Sequence, residues 1–244
     1  MDKDVTGYSI SIVIPAYNEE DNIEDVVFRS LEVLRSLTDR FEVIVMDDAS
    51  RDRTGQLIDA VARKYPGEVR ALHHQKNQGT NLSLIELFRE AQCELVFFLP
   101  ADKQILPESI RDYVAAVEEG ADVVLGWRRN RRDPFYRVWF NQLFCFILRV
   151  YLGVNFHDAA ASDLYKKSVL DQIEMESRGR LLQAEIAAKA IRLGYRIREV
   201  VVEHFPRTRG KQTGIKPKTA WLSFTDLLRV GPKIRSLEPV GKES

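Results

Sequence analysis

Apolar residues follow two rhythms along this chain. Short, nearly unbroken runs at 9–14 (SISIVI), 41–46 (FEVIVM), 95–99 (LVFFL) and 121–126 (ADVVLG) are rich in β-branched and aromatic side chains, the pattern of strands buried on both faces. A weaker run at 69–72 reads as one more strand. Between the runs, apolar residues recur at helical spacing: Ile23, Val26, Val27, Leu31 and Leu34; Leu57, Ile58, Val61 and Ala62; Leu82, Ile85 and Phe88; Ile110, Tyr113, Val114 and Val117. Pro107 stands where a helix can start, and Gly120 where it can stop. Beyond residue 126 the pattern predicts an amphipathic helix over 135–154, a helix over 181–193 closed by Gly194, a strand over 195–202 and a helix over 217–230.

Strand and helix alternate through residue 126, which implies a parallel sheet covered on both faces and joined by right-handed crossovers. We expect one domain over 1–230, built from halves at 9–126 and 127–230, with 231–244 as a tail. The 244 residues are 45% apolar, enough for a sizeable core, and the formal net charge of zero gives no general attraction for nucleic acid. Cys93 and Cys145 sit in apolar contexts without metal-ligand spacing and read as reduced core thiols of a cytosolic protein. The first residues lack the apolar core of a secretion signal, and 135–154 carries Arg137, Asn141, Gln142 and Arg149, too polar to span a bilayer.

Three polar clusters each follow a strand: Tyr17-Asn18-Glu19, Asp47-Asp48, and Asp102 with Gln104. Parallel strands bring such clusters to one edge of the sheet, where α/β folds bind ligands. Asp102 and Gln104 offer hard oxygen ligands of the kind Mg²⁺ or Mn²⁺ takes beside phosphate oxygens and water. The plainer alternative is a solvated surface turn. Residues 127–137 hold five arginines, Arg128 and Arg131 among them, and a glycine-bearing stretch at 207–214 adds Arg207, Arg209 and Lys211. Guanidinium forks match phosphate oxygens in pairs, although part of such a run is usually a solvated face. Asp158 and Glu185 remain open between acid–base or positioning work and ordinary helix duties. The four histidines show no ligand spacing and read as structural. No G-x-G-x-x-G follows the first strand, which argues against a dinucleotide-dependent oxidoreductase.

Together, 9–19 (SISIVIPAYNE), 41–54 (FEVIVMDDASRDRT), 77–79 (NQG) and the Asp102 loop resemble the family 2 glycosyltransferases of GT-A fold. Gly126-Trp127-Arg128, Asp158, the helix around Glu185, 194–200 (GYRIREV) and 207–210 (RTRG) are similar to the dolichol- or polyprenyl-phosphate mannose (or glucose) synthase branch. The resemblance implies a Rossmann-like three-layer α/β/α architecture with a mostly parallel sheet. By it, Pro15, Tyr17, Asn18 and Glu19 line the nucleotide pocket and Asp47 or Asp48 meets the nucleobase. Asp102 and Gln104 place a divalent ion on the diphosphate, Asp102, Arg128 and Asp158 form the catalytic set, and Arg207, Arg209 and Lys211 meet phosphate. The implied activity is inverting transfer from a GDP- or UDP-linked sugar to a polyprenyl phosphate, at the cytoplasmic face of a membrane touched peripherally and without nucleic acid. The alternatives are transfer to a soluble or polymer hydroxyl and a non-catalytic nucleotide-sugar-binding relative. Four departures stand out: Pro100 replaces the first acid of the D-x-D motif, Ala161-Ser162-Asp163 replaces an S-G-F segment, and Thr80 and Glu86 stand where lysine and glycine are usual.

Overall fold

Strand β1 (Ile10–Ala16) is a nearly continuous apolar run, and Ile10, Ile12, Val13 and Ile14 are fully buried. Its one polar member, Ser11, is satisfied by donating to Glu42 Oε1 (2.7 Å) and accepting the Cys93 N–H. The computed structural model from which this geometry is taken describes residues 6–128, 135–154, 157–158, 161–179, 181–206 and 217–237. On one side β1 pairs in parallel with β2 (Phe41–Asp47), which pairs with β3 (Val69–His73); on the other it pairs with β4 (Leu95–Phe98). The chain then places β5 (Val123–Trp127), β6 (Asp163–Lys166) and β7 (Ile197–Val201) to complete a seven-stranded sheet of order β3-β2-β1-β4-β6-β5-β7.

Helices α1 (Ile23–Leu37), α2 (Thr54–Lys64) and α4 (Ile110–Glu118) pack on one face with Ile12, Ile14, Val43, Phe97 and Val124. Helices α3 (Thr80–Glu90), α5 (Phe135–Leu152), α6 (Lys167–Gln172), α7 (Leu182–Arg192) and α8 (Pro217–Arg235) cover the other face over Val13, Ile44, Val96, Phe98 and Leu125. Successive strand residues thus feed opposite cores, which is why these strands read as unbroken apolar runs. The architecture is a three-layer α/β/α arrangement, as the resemblance implies.

Several details depart from the sequence reading. Strand β6 runs antiparallel between β4 and β5, so the sheet is not wholly parallel. At four residues with a buried aspartate at its head, β6 carries no alternation to announce it, and the same holds for the six-residue α6. Pro107 opens a 3-10 turn (Pro107–Ser109) that leads into α4. Helix α8 continues past Val230 into the expected tail, to Arg235. Cys93 and Cys145 form no disulfide and are half-buried rather than fully enclosed, Cys145 packing against the edge of the core under α5; burial raises the Cys93 thiol pKa.

Gly126 sits where β5 meets β6. A methyl group there would lie 2.2 Å from Tyr113 Oη and 2.5 Å from the Ser162 carbonyl oxygen. Neither neighbour can move freely: the Tyr113 ring is fully buried against Phe97, and the carbonyl is held in the sheet by the Gly126 N–H. Gly126→Ala is therefore expected to lower stability by about 1–3 kcal/mol, read from urea unfolding midpoints. An unchanged midpoint would contradict the close approach.

Candidate active site

The chain runs outward from β1 through β2 to β3, then returns to lay β4 on the other side of β1. The carboxyl ends of β1 and β4 therefore flank a topological switch point, the crevice where open α/β sheets take ligands. All strands except β6 point the same way, so the turns after β1, β2, β3, β4, β5 and β7 share one rim.

Three of these turns hold strained backbone. Asn18 (φ 56°), Ala49 (φ 56°) and Lys103 (φ 60°) are the non-glycine residues with left-handed backbone among the described residues, one each after β1, β2 and β4. Such conformations cost on the order of 1 kcal/mol apiece and persist where the surroundings over-determine them. The first two turns are stitched together. The Asn18 N–H donates to Ser50 Oγ, Asn18 Oδ1 accepts the Arg51 N–H at 2.8 Å, and the Glu19 N–H donates to Thr54 Oγ1 at 2.8 Å. Buried Glu19 also accepts from Asn22 Nδ2 (2.7 Å) at the start of α1. Pro15 lies half-buried in β1 opposite Met46, and Tyr17 is partly exposed at the rim.

The paired acids at the end of β2 have separate surroundings. Asp47 Oδ1 accepts the Ser50 N–H at 3.0 Å, and its other oxygen lies a long 3.5 Å from His73 Nδ1. Asp48 is more fully committed. Oδ1 accepts the Gln78 N–H and lies 2.7 Å from His74 Nδ1, Oδ2 accepts the Gly79 N–H, and its carbonyl accepts from Asn77 Nδ2. Asp48 thereby suspends the 77–79 turn in front of α3.

The turn after β4 is different. Asp102 Oδ1 accepts the Gln104 N–H at 3.1 Å, but nothing among the described residues meets its Oδ2 or the Gln104 side-chain amide. Both residues are half-buried. A carboxylate oxygen and an amide oxygen without protein partners fit a divalent ion that takes one or two protein ligands and completes its shell with phosphate oxygens and water. Among the described residues no group of three or more His, Cys, Asp or Glu side chains is arranged to hold a metal ion by itself, so the fit is to a site shared with substrate. Lys103 pairs with Asp25 on α1, and the Gln104 carbonyl accepts the Phe205 N–H at 2.9 Å. The chain thus returns to the acid turn two residues before Arg207. Arg207, Arg209, Lys211 and Arg131 lie outside the described residues.

Arg128 and Asp158 form one unit. The guanidinium donates from Nε (2.7 Å) and Nη2 (2.9 Å) to the two carboxylate oxygens, with the side chains 11% and 1% exposed. Arg128 follows β5, two strands and so roughly 10 Å from the Asp102 turn along the rim. Beside the fork, Trp127 stacks on His157 at 4.3 Å between ring centres, and Glu199 accepts the His157 N–H and contacts Nδ1, both at 2.7 Å.

Behind the fork lies Asp163, which the sequence marks only as part of an altered segment and gives no role. Asp163 is fully enclosed and accepts from the Gly126 N–H (3.2 Å), Tyr165 Oη (2.9 Å) and Gln183 Nε2 (2.6 Å). Burial, helped by the nearby Asp158 charge, raises its pKa to about 7 against the opposing hydrogen bonds. Glu185 is fully buried, not an exposed helix position; it accepts the Glu176 and Ser177 N–H groups and pairs with Lys189 at 2.7 Å. His73, His74 and His157 each contact a carboxylate on another element. Apart from the i,i+4 pair Glu185–Lys189 and the i,i+2 pair Asp163–Tyr165, these contacts join residues of different elements that only the fold brings together.

Comparison with known proteins identifies the family and the fold. Residues 11–173 match the family model described as Glycosyl transferase family 2. An undecaprenyl-phosphate 4-deoxy-4-formamido-L-arabinose transferase of Pseudomonas paraeruginosa is 34% identical over 163 residues, covering 66% of this chain and 48% of that protein. The protein of the same name from Pseudomonas fluorescens is 31% identical over 202 residues, covering 82% and 59%. The chain thus spans about half to three-fifths of the length of these relatives. A glucosyl-3-phosphoglycerate synthase of Mycobacterium tuberculosis, crystallised with Mn²⁺, UDP-glucose and phosphoglyceric acid, superposes with a TM-score of 0.72 over 92% of this chain and 80% of that one, at 20% identity. At that identity the likeness establishes the fold.

The Asp163 site makes a pH prediction. Its folded pKa of about 7 lies above the ordinary 3.8, so the folded state holds a proton that the unfolded chain has released. The stabilisation is complete below about pH 3.8 and is lost as pH rises toward 7. Asp163→Asn removes this dependence. Relative to wild type, the variant is expected to gain on the order of a few kcal/mol between about pH 4 and 7, then hold a constant difference. A parallel pair of stability–pH curves would show that Asp163 keeps an ordinary pKa.

Proposed function

The chain belongs to the family 2 glycosyltransferases, and we propose that it moves a sugar from a uridine- or guanosine-linked diphosphate donor to a polyprenyl phosphate with inversion at the sugar carbon. In one step an acceptor phosphate oxygen bonds to the sugar's anomeric carbon. The bond from that carbon to the diphosphate breaks, and the electron pair leaves with the nucleoside diphosphate. The single observation that carries the reading is the gathering of left-handed backbone at Asn18, Ala49 and Lys103 into three turns around one switch point.

Roles follow from what each side chain already holds. Residues 9–126 form the donor half: Pro15, Tyr17, Asn18 and Glu19 wall the nucleotide pocket. Asp47, less committed than Asp48, accepts from the nucleobase ring N–H. Asp102 and Gln104 would hold a Mg²⁺ or Mn²⁺ ion, which when bound would offset charge developing on the leaving diphosphate. Residues 127–230 form the acceptor half. Both Asp158 oxygens are committed to Arg128, so Asp158 acts by fixing that guanidinium at the rim as a cation for phosphate. A phosphate acceptor is already anionic and needs no strong base. Arg207, Arg209 and Lys211 add positive charge on the segment that follows Phe205.

The lipid part of the proposal rests on the relatives' undecaprenyl-phosphate acceptor and on α5 and α8. These helices pack on each other, yet Phe146 (61% exposed) and Val150 (69%) on α5, with Phe224 and Leu228 on α8, remain in solvent. Among the described residues no helix is long and apolar enough to cross a membrane. We place these faces against the cytoplasmic leaflet as a peripheral contact.

The test incubates the protein with UDP- and GDP-sugars, Mn²⁺, and either undecaprenyl phosphate or hydroxyl acceptors. Transfer to the lipid phosphate is expected, with Asp102→Asn reducing turnover about a hundredfold at an unchanged unfolding midpoint. Transfer to hydroxyl acceptors alone would reject the lipid reading. Nucleotide binding without transfer to anything would mark a non-catalytic relative.

A further inference from the structure

His74 ends the β3 side of the rim with its side chain only 5% exposed and a carboxylate on each ring nitrogen. Nδ1 lies 2.7 Å from Asp48 Oδ1, and Nε2 lies 2.9 Å from Glu86 Oε2 on α3. A neutral imidazole carries one N–H and one lone pair, so it would set that lone pair against one of the two carboxylates. Two acceptors on two nitrogens call for two N–H groups. Glu86, which departs from the residue usual at this position in the resembling family, supplies the second acceptor.

We propose that His74 is held as a doubly protonated imidazolium that positions Asp48 and the 77–79 turn to wall the donor nucleotide, and that its deprotonation loosens this wall. The nucleotide half of the statement rests on the donor-site reading above. Asp48 links the ring to the turn. One of its oxygens faces His74 Nδ1 and the Gln78 N–H, the other accepts the Gly79 N–H, and its own N–H donates to the Ala16 carbonyl at the end of β1. Loss of the ring charge would leave this buried carboxylate without the cation that faces it.

The charges facing the ring are Asp48 from the end of β2 and Glu86 from α3. The neighbouring His73 turns away to Asp47 and Asp59. Burial pulls the His74 pKa down, but the hydrogen bonds and charges of Asp48 and Glu86 outweigh it and leave it raised above 6.5. The contribution is therefore complete below about pH 6.5 and fades as pH climbs through the folded-state value.

His74 acts through Asp48 and the turn, so it is a positioning residue. Its state can be read without turnover. Nitrogen-resolved NMR of the full chain should find both ring nitrogens protonated at about pH 6.5, with the ring's titration midpoint above that value. Hydrogen exchange at Gln78 and Gly79 should quicken in step with ring deprotonation. Glu86→Gln, which lets the neutral ring make both contacts, should move the two transitions together to lower pH. Over the same interval the dissociation constant of UDP or GDP with Mg²⁺ should weaken about tenfold, while kcat at saturating donor stays flat. A ring whose titration midpoint lies at or below about 6.5, or amides that ignore the ring's titration, would overturn the proposal. Ring and amides that titrate as stated while bound nucleotide affinity stays level would overturn its nucleotide half. Failure of both nucleotides to bind at any pH, with ring and amides titrating together, would instead sink the donor-site reading and leave the imidazolium standing.

Discussion

The molecule depends on one constraint: β1 is hydrogen-bonded on both edges and buried on both faces. A strand so enclosed has no room for unpaired polar groups, because a buried donor or acceptor without a partner costs on the order of 1–3 kcal/mol. Ser11 is tolerated only because Glu42 and Cys93 answer it. Polar chemistry is therefore displaced to where the strand ends. Because the chain places β2 and β4 on opposite sides of β1, the turns leaving all three strands open onto a common crevice.

Within that crevice the acids differ by what they already hold. Glu19, Asp48 and Asp158 are filled by protein donors and act as fixed parts of the walls. Asp102 and Gln104 keep side-chain oxygens that no described residue meets. That division is what preorganised electrostatics asks for: committed carboxylates fix the shape, and uncommitted ones meet the ligand. Pro100 removes one acid that the resembling family keeps in this turn. The remaining pair suits an ion whose other ligands come from substrate and water.

The second half extends the same sheet through β6, β5 and β7 and brings a different set of contacts to the rim. The Arg128–Asp158 fork, the Trp127–His157 stack braced by Glu199, and the enclosed Asp163 lie within a few residues of one another in the fold. Asp163 occupies the altered segment after Asp158. There it joins the Gly126 backbone to Tyr165 and to Gln183 on α7, so the departure in sequence is built into the support beneath the fork.

What the chain's own pattern determined is the layered α/β fold, most strand and helix positions, and the three polar turns. These follow from local rhythm: burial on both faces writes unbroken apolar runs, and a helix writes its period in side chains three and four apart. The left-handed residues, the antiparallel β6, the burial of Glu185 and the carboxylate partners of His73, His74 and His157 were decided only by the tertiary structure. Asp48, His74 and Glu86 are 26 and 12 residues apart along the chain. No local spacing encodes a contact between groups on different elements, since it exists only after the sheet has ordered its strands. The sequence could say that acids follow strands; which acids are already answered, and by which cation, is a property of the folded rim.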